Sequence, residues 1–202
     1  MAGTLVSKDP AARLAERQGW ITSGAQATAQ TGIAEAMDKI GGETLRNALH
    51  GTWLHEPLHA VLTDVPIGSW TAAVAFDAVA AISGSEGMDT AADACVGLGL
   101  LGAVGAAITG MNDWAEVKEE APRRIGAVHG LLNVAATGFF VASLVARRGS
   151  GGRPGERSKG RALAALGYVV ASASAHLGGN LVYEHGVGVE GRDSLFPVGP
   201  NR

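Results

Sequence analysis

One cysteine, Cys95, occurs in the 202 residues. That scarcity excludes a disulfide framework, and it excludes zinc or iron–sulfur sites built on several thiolates. Charge is scarce too. Asp, Glu, Lys and Arg make up 17% of the chain, against about 25% in an average soluble domain. The net charge of −3 gives no basic footprint, so no nucleic-acid partner is expected. The first 50 residues hold no continuous apolar run, so no cleaved signal peptide is expected. Apolar residues, by contrast, make up 47% of the chain, too many for a disordered protein.

The apolar residues concentrate in four stretches, at about 58–83, 91–111, 125–146 and 162–183. Each is near the roughly 20 residues that cross a bilayer core of about 30 Å. The third is apolar on every face, a pattern that belongs in lipid or deep inside a large protein. A soluble, Ala-rich helical bundle is the alternative, but a chain of this length has difficulty burying four such helices at once. The expected fold is therefore all-α: a four-helix transmembrane bundle over 58–186, preceded by an N-terminal amphipathic segment over 1–57 and followed by a polar tail over 187–202. The N-terminal segment carries five Lys/Arg and six Asp/Glu. In it Ile33, Met37, Ile40, Leu45 and Leu49 recur at helical intervals, which places it on the membrane surface or on the end of the bundle. Asp9-Pro10 reads as a helix start. In the second stretch Gly99, Ala103 and Ala107, and likewise Gly102, Ala106 and Gly110, form rows of small residues suited to close helix packing. No internal repeat is visible.

Antiparallel threading of the four spans puts the start of the first, the end of the second, the start of the third and the end of the fourth at one membrane face, called face A below. The loop at the opposite face, face B, carries Arg147, Arg148, Arg153, Arg157, Lys159 and Arg161 against one acid, Glu156. The positive-inside rule then puts loop 147–161 in the cytoplasm and both termini outside a bacterial inner membrane.

All six histidines fall toward face A: His50, His55, His59, His129, His176 and His185. Ionisable groups in a membrane usually face the bundle interior. Two interior histidines on neighbouring helices can supply both axial ligands of a b-type haem, since imidazole is the commonest metal ligand and bundle cores are a usual place for such sites. His129 and His176 differ in depth by only about one turn, which makes them the leading pair, with His59 as substitute or third member and His185 just beyond the fourth span. The plainer reading is that such histidines hydrogen-bond across helices. His55-Glu56-x-x-His59 matches the zinc-protease pattern H-E-x-x-H, but Pro57 discourages the continuous helix which that chemistry needs. Asp64 and Asp113 read as proton-relay groups or, more plainly, as helix caps, and Trp114 and Tyr183 as an interfacial aromatic belt. Asp77, inside the first span, is a candidate proton carrier.

Several motifs carry a family resemblance: Leu49-His50-Gly51-Thr52-Trp53-Leu54, Pro57-Leu58-His59, Leu62-Thr63-Asp64-Val65-Pro66-Ile67-Gly68, Gly110-x-x-Asp113-Trp114, His129-x-x-x-Asn133 and Leu177-Gly178-Gly179-x-Leu181-Val182-Tyr183-x-x-Gly186-Val187-Gly188-Val189. From about Leu49 to Val189 the chain resembles the bacterial family catalogued as domain of unknown function 2231. The resemblance implies a small multi-span membrane protein, related to b-type cytochrome bundles and in some members fused to Rieske or cytochrome c domains. Two positions depart from the family pattern. The usual Gly-His-Pro-Leu-His-Pro reads His55-Glu56-Pro57-Leu58-His59-Ala60 here, and Asn180 stands where His or Glu is common.

The expected function is membrane electron transfer through haem b held by histidines at face A, drawn from His59, His129, His176 and His185, with exchange to a quinone or a separate redox protein. The alternative is a non-catalytic anchor or assembly subunit of a redox complex. A proton-coupled transporter using Asp77 is a weaker third class. The lipid bilayer is the expected surrounding, and the small-residue helices suit a homodimer.

Overall fold

The computed structural model describes residues 9–16, 23–149 and 154–188. Among them the secondary structure is helical: α1 (Pro10–Glu16), α2 (Ser23–Ile40), α3 (Gly42–His50), α4 (Leu58–Ser83), α5 (Glu86–Ala115), α6 (Glu120–Gly149) and α7 (Pro154–Tyr183). Most of the tail assigned to 187–202 lies outside the described residues, as do 150–153 of the face-B loop.

Four helices are long and apolar enough to cross a membrane: Leu58–Ser83, Glu86–Ala115, Glu120–Arg148 and Arg157–Tyr183. All but the first extend beyond the apolar stretches seen in the sequence. The added turns are charged, and they continue the helix because nothing there breaks it. Ser85 caps α5 by accepting from the Met88 amide at 3.4 Å, and Gly84, at φ +68°, ends α4 in the left-handed region. Large apolar side chains such as Ile82, Leu101, Val134, Val145 and Val169 point outward along the bundle, as a lipid-facing surface requires.

The bundle is two hairpins, α4–α5 and α6–α7, each packed most extensively within itself. The hairpins meet where α5 touches α6 and α4 touches α7, so α4 and α6 face each other diagonally. The row of small residues on α5 receives α4. A Cβ at Gly99 would lie 2.2 Å from Trp70 Nε1, and one at Gly102 would lie 2.6 Å from Val65 Cγ1 and 2.8 Å from Cδ of Pro66, inside α4.

The structure corrects the sequence reading on one point: the chain does repeat. Pro66, Trp70, Ala73 and Asp77 are buried on α4, and a shift of 70 residues lands on Ala136, Phe140, Ser143 and Arg147, buried on α6. Ala92, Val96, Gly99, Ala106, Thr109 and Asn112 are buried on α5. A shift of 68 residues lands on Gly160, Ala164, Gly167, Ser174, Leu177 and Asn180, buried on α7. Residues touch their own counterparts across the diagonal. Trp70 stacks on Phe140 with ring centres 4.0 Å apart, and Arg147 pairs with Asp77. Self-contact of equivalent positions is the mark of a two-fold interface. Because α4 and α6 present these layers in the same order, the pseudo-two-fold axis runs along the bundle. The repeat is parallel rather than inverted. It escaped the sequence reading because few residues in it are identical and its most prominent counterparts carry opposite charge.

The N-terminal helices close face A. Gln30 of α2, 8% exposed, donates to the Trp114 and Val117 carbonyls at 2.7 and 3.0 Å, and the first of these also accepts from the Val117 amide. α2 and α3 pack against the ends of α4, α5 and α6. Leu45 and Leu49 turn partly inward, but Ile40 is 76% exposed, because Gly41 and Gly42 (φ +59°) redirect the chain immediately after it. Gly51 ends α3 at φ +81°. A Cβ there would sit 2.3 Å from the Glu56 carbonyl oxygen, so the turn into α4 demands glycine.

Candidate functional site

His59 enters the bundle in the first turn of α4, set there by Pro57, which precedes the helix with an extended backbone. His129, its counterpart, lies further along α6. Their ring centres are 6.4 Å apart and the ring planes are nearly perpendicular, at 87°. The surroundings of the two rings are also counterparts. His59 Nδ1 donates to the Ala106 carbonyl at 2.8 Å, and His129 Nδ1 donates to the Ser174 carbonyl at 2.8 Å. Each ring rests on a glycine of its own hairpin: a Cβ at Gly110 would be 2.7 Å from His59 Cε1, and one at Gly178 would be 3.0 Å from His129 Cε1.

These contacts fix the chemistry. A carbonyl only accepts, so Nδ1 carries the proton in both rings, and in the neutral ring Nε2 keeps the lone pair. This is the orienting contact that metal-bound histidines usually make. Two imidazoles sharing one metal at about 2.0–2.1 Å per bond hold their ring centres roughly 6 Å apart, close to the spacing here. The halves differ in one contact. Asn133 Nδ2 donates to His129 Nε2 at 3.0 Å, whereas its counterpart Thr63 donates to its own helix at the Ala60 carbonyl. Among the described residues no group of three or more His, Cys, Asp or Glu could hold a metal ion. A metal held by this pair would need its remaining donors from elsewhere, and Asn133 would have to release His129 Nε2 first.

His129 and His176 are not brought together. The His176 side chain is 62% exposed, with Nε2 2.6 Å from the Asp9 carboxylate beside α1. The face of α7 turned toward α6 carries Ser174, Leu177 and Gly178 instead. His185 lies past the end of α7 and lines an open pocket of about 500 Å³ with His50, Asp113, Glu116 and Lys118. There His50 Nδ1 donates to Asp113 at 2.7 Å, so Asp113 is a histidine partner rather than a helix cap. Asp64 is exposed on α4, past its first turn, and caps nothing. Trp114 donates to the Arg123 carbonyl at 2.9 Å and packs against Gly126, within the α5–α6 junction, whereas Tyr183 is 73% exposed. His55 has φ +60° in the turn before α4, so His55-Glu56-x-x-His59 is not one helix and does not aim both rings at one metal.

In the N-terminal cap Arg46 binds both Asp38, at 3.3 Å, and Glu116. Burial works against ionisation of Glu116, but Arg46 and His50 outweigh it and hold the carboxyl below its usual range.

Sequence reasoning missed the charged layer at face B. Arg147 is fully buried and grips Asp77 through both guanidinium nitrogens. Its Nε donates to Ser143 Oγ at 2.9 Å, and that hydroxyl donates to the Gly160 carbonyl at 2.6 Å. Asp89, Asp93, Arg157 and Arg161 extend the layer. Asp77 is thus committed to an arginine, which removes the motive for reading it as a proton carrier. The available signal was a comparison of the chain with itself: Leu58-His59-x-x-Leu62 against Val128-His129-x-x-Leu132.

The family model described as "Predicted membrane protein (DUF2231)" matches residues 55–191, a stretch that holds the four long helices and both histidines of the pair. No curated protein and no solved structure matches the chain.

Proposed function

The chain belongs to the DUF2231 family of predicted membrane proteins, and on that premise we propose that this multi-pass bundle transfers electrons through a b-type haem ligated by His59 and His129. One observation carries the reading. Two counterpart histidines, one from each hairpin, meet at the axis with Nδ1 held by carbonyls, at a spacing suited to one shared metal. Bound there, a haem supplies one-electron chemistry. The chain's own residues orient the rings, seat them on Gly110 and Gly178, and surround the site with helix and lipid. A quinone or a separate redox protein would meet the site at face A, where the pocket beside His50, Asp113 and His185 opens.

The test is the absorption spectrum of protein purified from membranes, oxidised and then reduced with dithionite. A Soret band with a sharp α band on reduction is expected. It should be lost in His59→Ala and in His129→Ala and kept in His176→Ala. A protein that stays colourless after expression with added haem overturns the reading.

The Asn133 bond to His129 supports a second reading, in which the pair is structural and the protein anchors or assembles a redox complex. Spectra would then be silent and histidine substitutions would alter only assembly. We propose the bacterial inner membrane as location, with loop 147–161 cytoplasmic. Arg148 and Lys159 remain exposed there, and the positive-inside rule counts Lys and Arg near the spans whether or not acids accompany them. The rows of small residues on α5 are taken up by α4 within the chain, so a homodimer would use another surface, and cross-linking in native membranes would detect it.

A further inference from the structure

The charges at face B are sorted by hairpin. Asp77, Asp89 and Asp93 all lie on α4–α5, and Arg147, Arg157 and Arg161 all lie on α6–α7. Each aspartate occupies the position whose counterpart is an arginine. The contacts obey the same two-fold rule. Arg147–Asp77, and Arg157–Asp89 at 2.8 Å, each join a position to its own counterpart. Arg161–Asp89 at 2.7 Å mirrors Arg157–Asp93 at 3.2 Å, and Arg147–Asp93 at 3.1 Å mirrors Arg161–Asp77 at 3.9 Å.

A two-fold interface is self-complementary in shape. By shape alone, α4–α5 could pair with α4–α5 of a second copy as readily as with α6–α7. Charge removes that option, since like hairpins would set three carboxylates against three carboxylates, or three guanidiniums against three guanidiniums, with the Asp77 or Arg147 level buried. We infer that this ladder is a pairing address: each hairpin's inner face accepts the opposite hairpin and refuses its own kind. The departures from two-fold identity around the ladder serve the same end. Gly160 replaces the counterpart of Ala92 where a Cβ would press within 2.6 Å of Arg147 Cγ, and Ser143 replaces the counterpart of Ala73 to accept from Arg147 Nε. The small residue and the hydroxyl are supplied on the arginine side only. This inference does not depend on haem.

The test uses the full chain in detergent. Exchanging one level, Asp89→Arg with Arg157→Asp, keeps the two counterparts complementary but sets the new arginine against Arg161 and the new aspartate against Asp93. The thermal midpoint should fall by roughly 10 °C. Exchanging the whole ladder (D77R, D89R, D93R, R147D, R157D, R161D) together with A92G, G160A, A73S and S143A should recover most of that loss. All six charges stay at face B, so the Lys/Arg signal for insertion is unchanged. Neutralising the ladder, with Asn for each aspartate and Gln for each arginine, should permit like-with-like pairing and shift the protein to larger oligomers by size exclusion with light scattering. A one-level exchange that keeps the parent midpoint overturns the inference. So does a whole-ladder exchange no more stable than the one-level variant, or a neutral chain with the parent's size.

Discussion

At face B, three carboxylates and three guanidiniums each meet the opposite charge on the other hairpin, with Asp77 and Arg147 buried and the other four partly exposed. At face A, on the same axis, two imidazoles donate to carbonyls of their own hairpins, with ring centres 6.4 Å apart. One end binds hairpin to hairpin and leaves little donor capacity for anything else. The other puts its hydrogen bonds within each hairpin. The axis therefore separates a charged end that joins the hairpins from a histidine end that does not, with the stacked Trp70 and Phe140 as the apolar layer between them.

The largest effect should come from breaking the charged end. Arg147→Ala leaves Asp77 buried with its main partner gone and should cost about 3–5 kcal/mol, read as lost yield and a lowered thermal midpoint in detergent. Asp77→Leu combined with Arg147→Leu should cost less than Arg147→Ala alone, because no charge is then stranded. The apolar layer comes next. Gly99→Val drives a side chain into Trp70 and should cost about 1–3 kcal/mol, measured the same way. At the histidine end, His129→Phe should cost no more than about 1.5 kcal/mol while abolishing any haem spectrum. His176→Ala, on an exposed face, should change stability by less than about 0.5 kcal/mol. An outcome in which His129→Phe is as damaging as Arg147→Ala would erase the contrast between the ends.

The smallest effect is pH-dependent and concerns the cap over face A. Because the folded-state pKa of Glu116 is depressed, its contribution is present above the ordinary glutamate value of 4.5 and is lost as pH falls below that toward the folded value. Solvent exposure of the Arg46–Glu116 pair keeps the effect small. Protection of the α3 amides, measured against the intrinsic exchange rate at each pH, should fall at pH below about 4.5, and Glu116→Gln should remove that dependence.

The four spans, their antiparallel order and the gathering of histidines at one face were legible because hydropathy and helix rise depend on sequence alone. The first span was placed at 58–83, the limits α4 has. Which histidines meet was not legible. His129 and His176 match in depth, but depth says nothing about rotation, and α7 is turned so that Ser174 rather than His176 faces His129. The ladder was hidden for another reason. Arg147, Arg157 and Arg161 counted as loop charges because their helices run past the apolar stretches, and Asp89 and Asp93 stood at the start of a span, where acids are ordinary. Only the 70-residue shift from Asp77 to Arg147 showed that the two charge sets were one feature.

That shift also sets a schedule for the ribosome. Asp77 is made 70 residues before Arg147, and Asp89 is made 68 residues before Arg157. At about 5–20 residues per second, the acidic hairpin waits roughly 4–14 seconds for its partner to be synthesised. Through that interval it must either keep its carboxylates near the headgroups or lean on a helper already in the membrane. Nascent chains truncated before Arg147 should therefore be captured by the insertion machinery far longer than chains extended past Arg161.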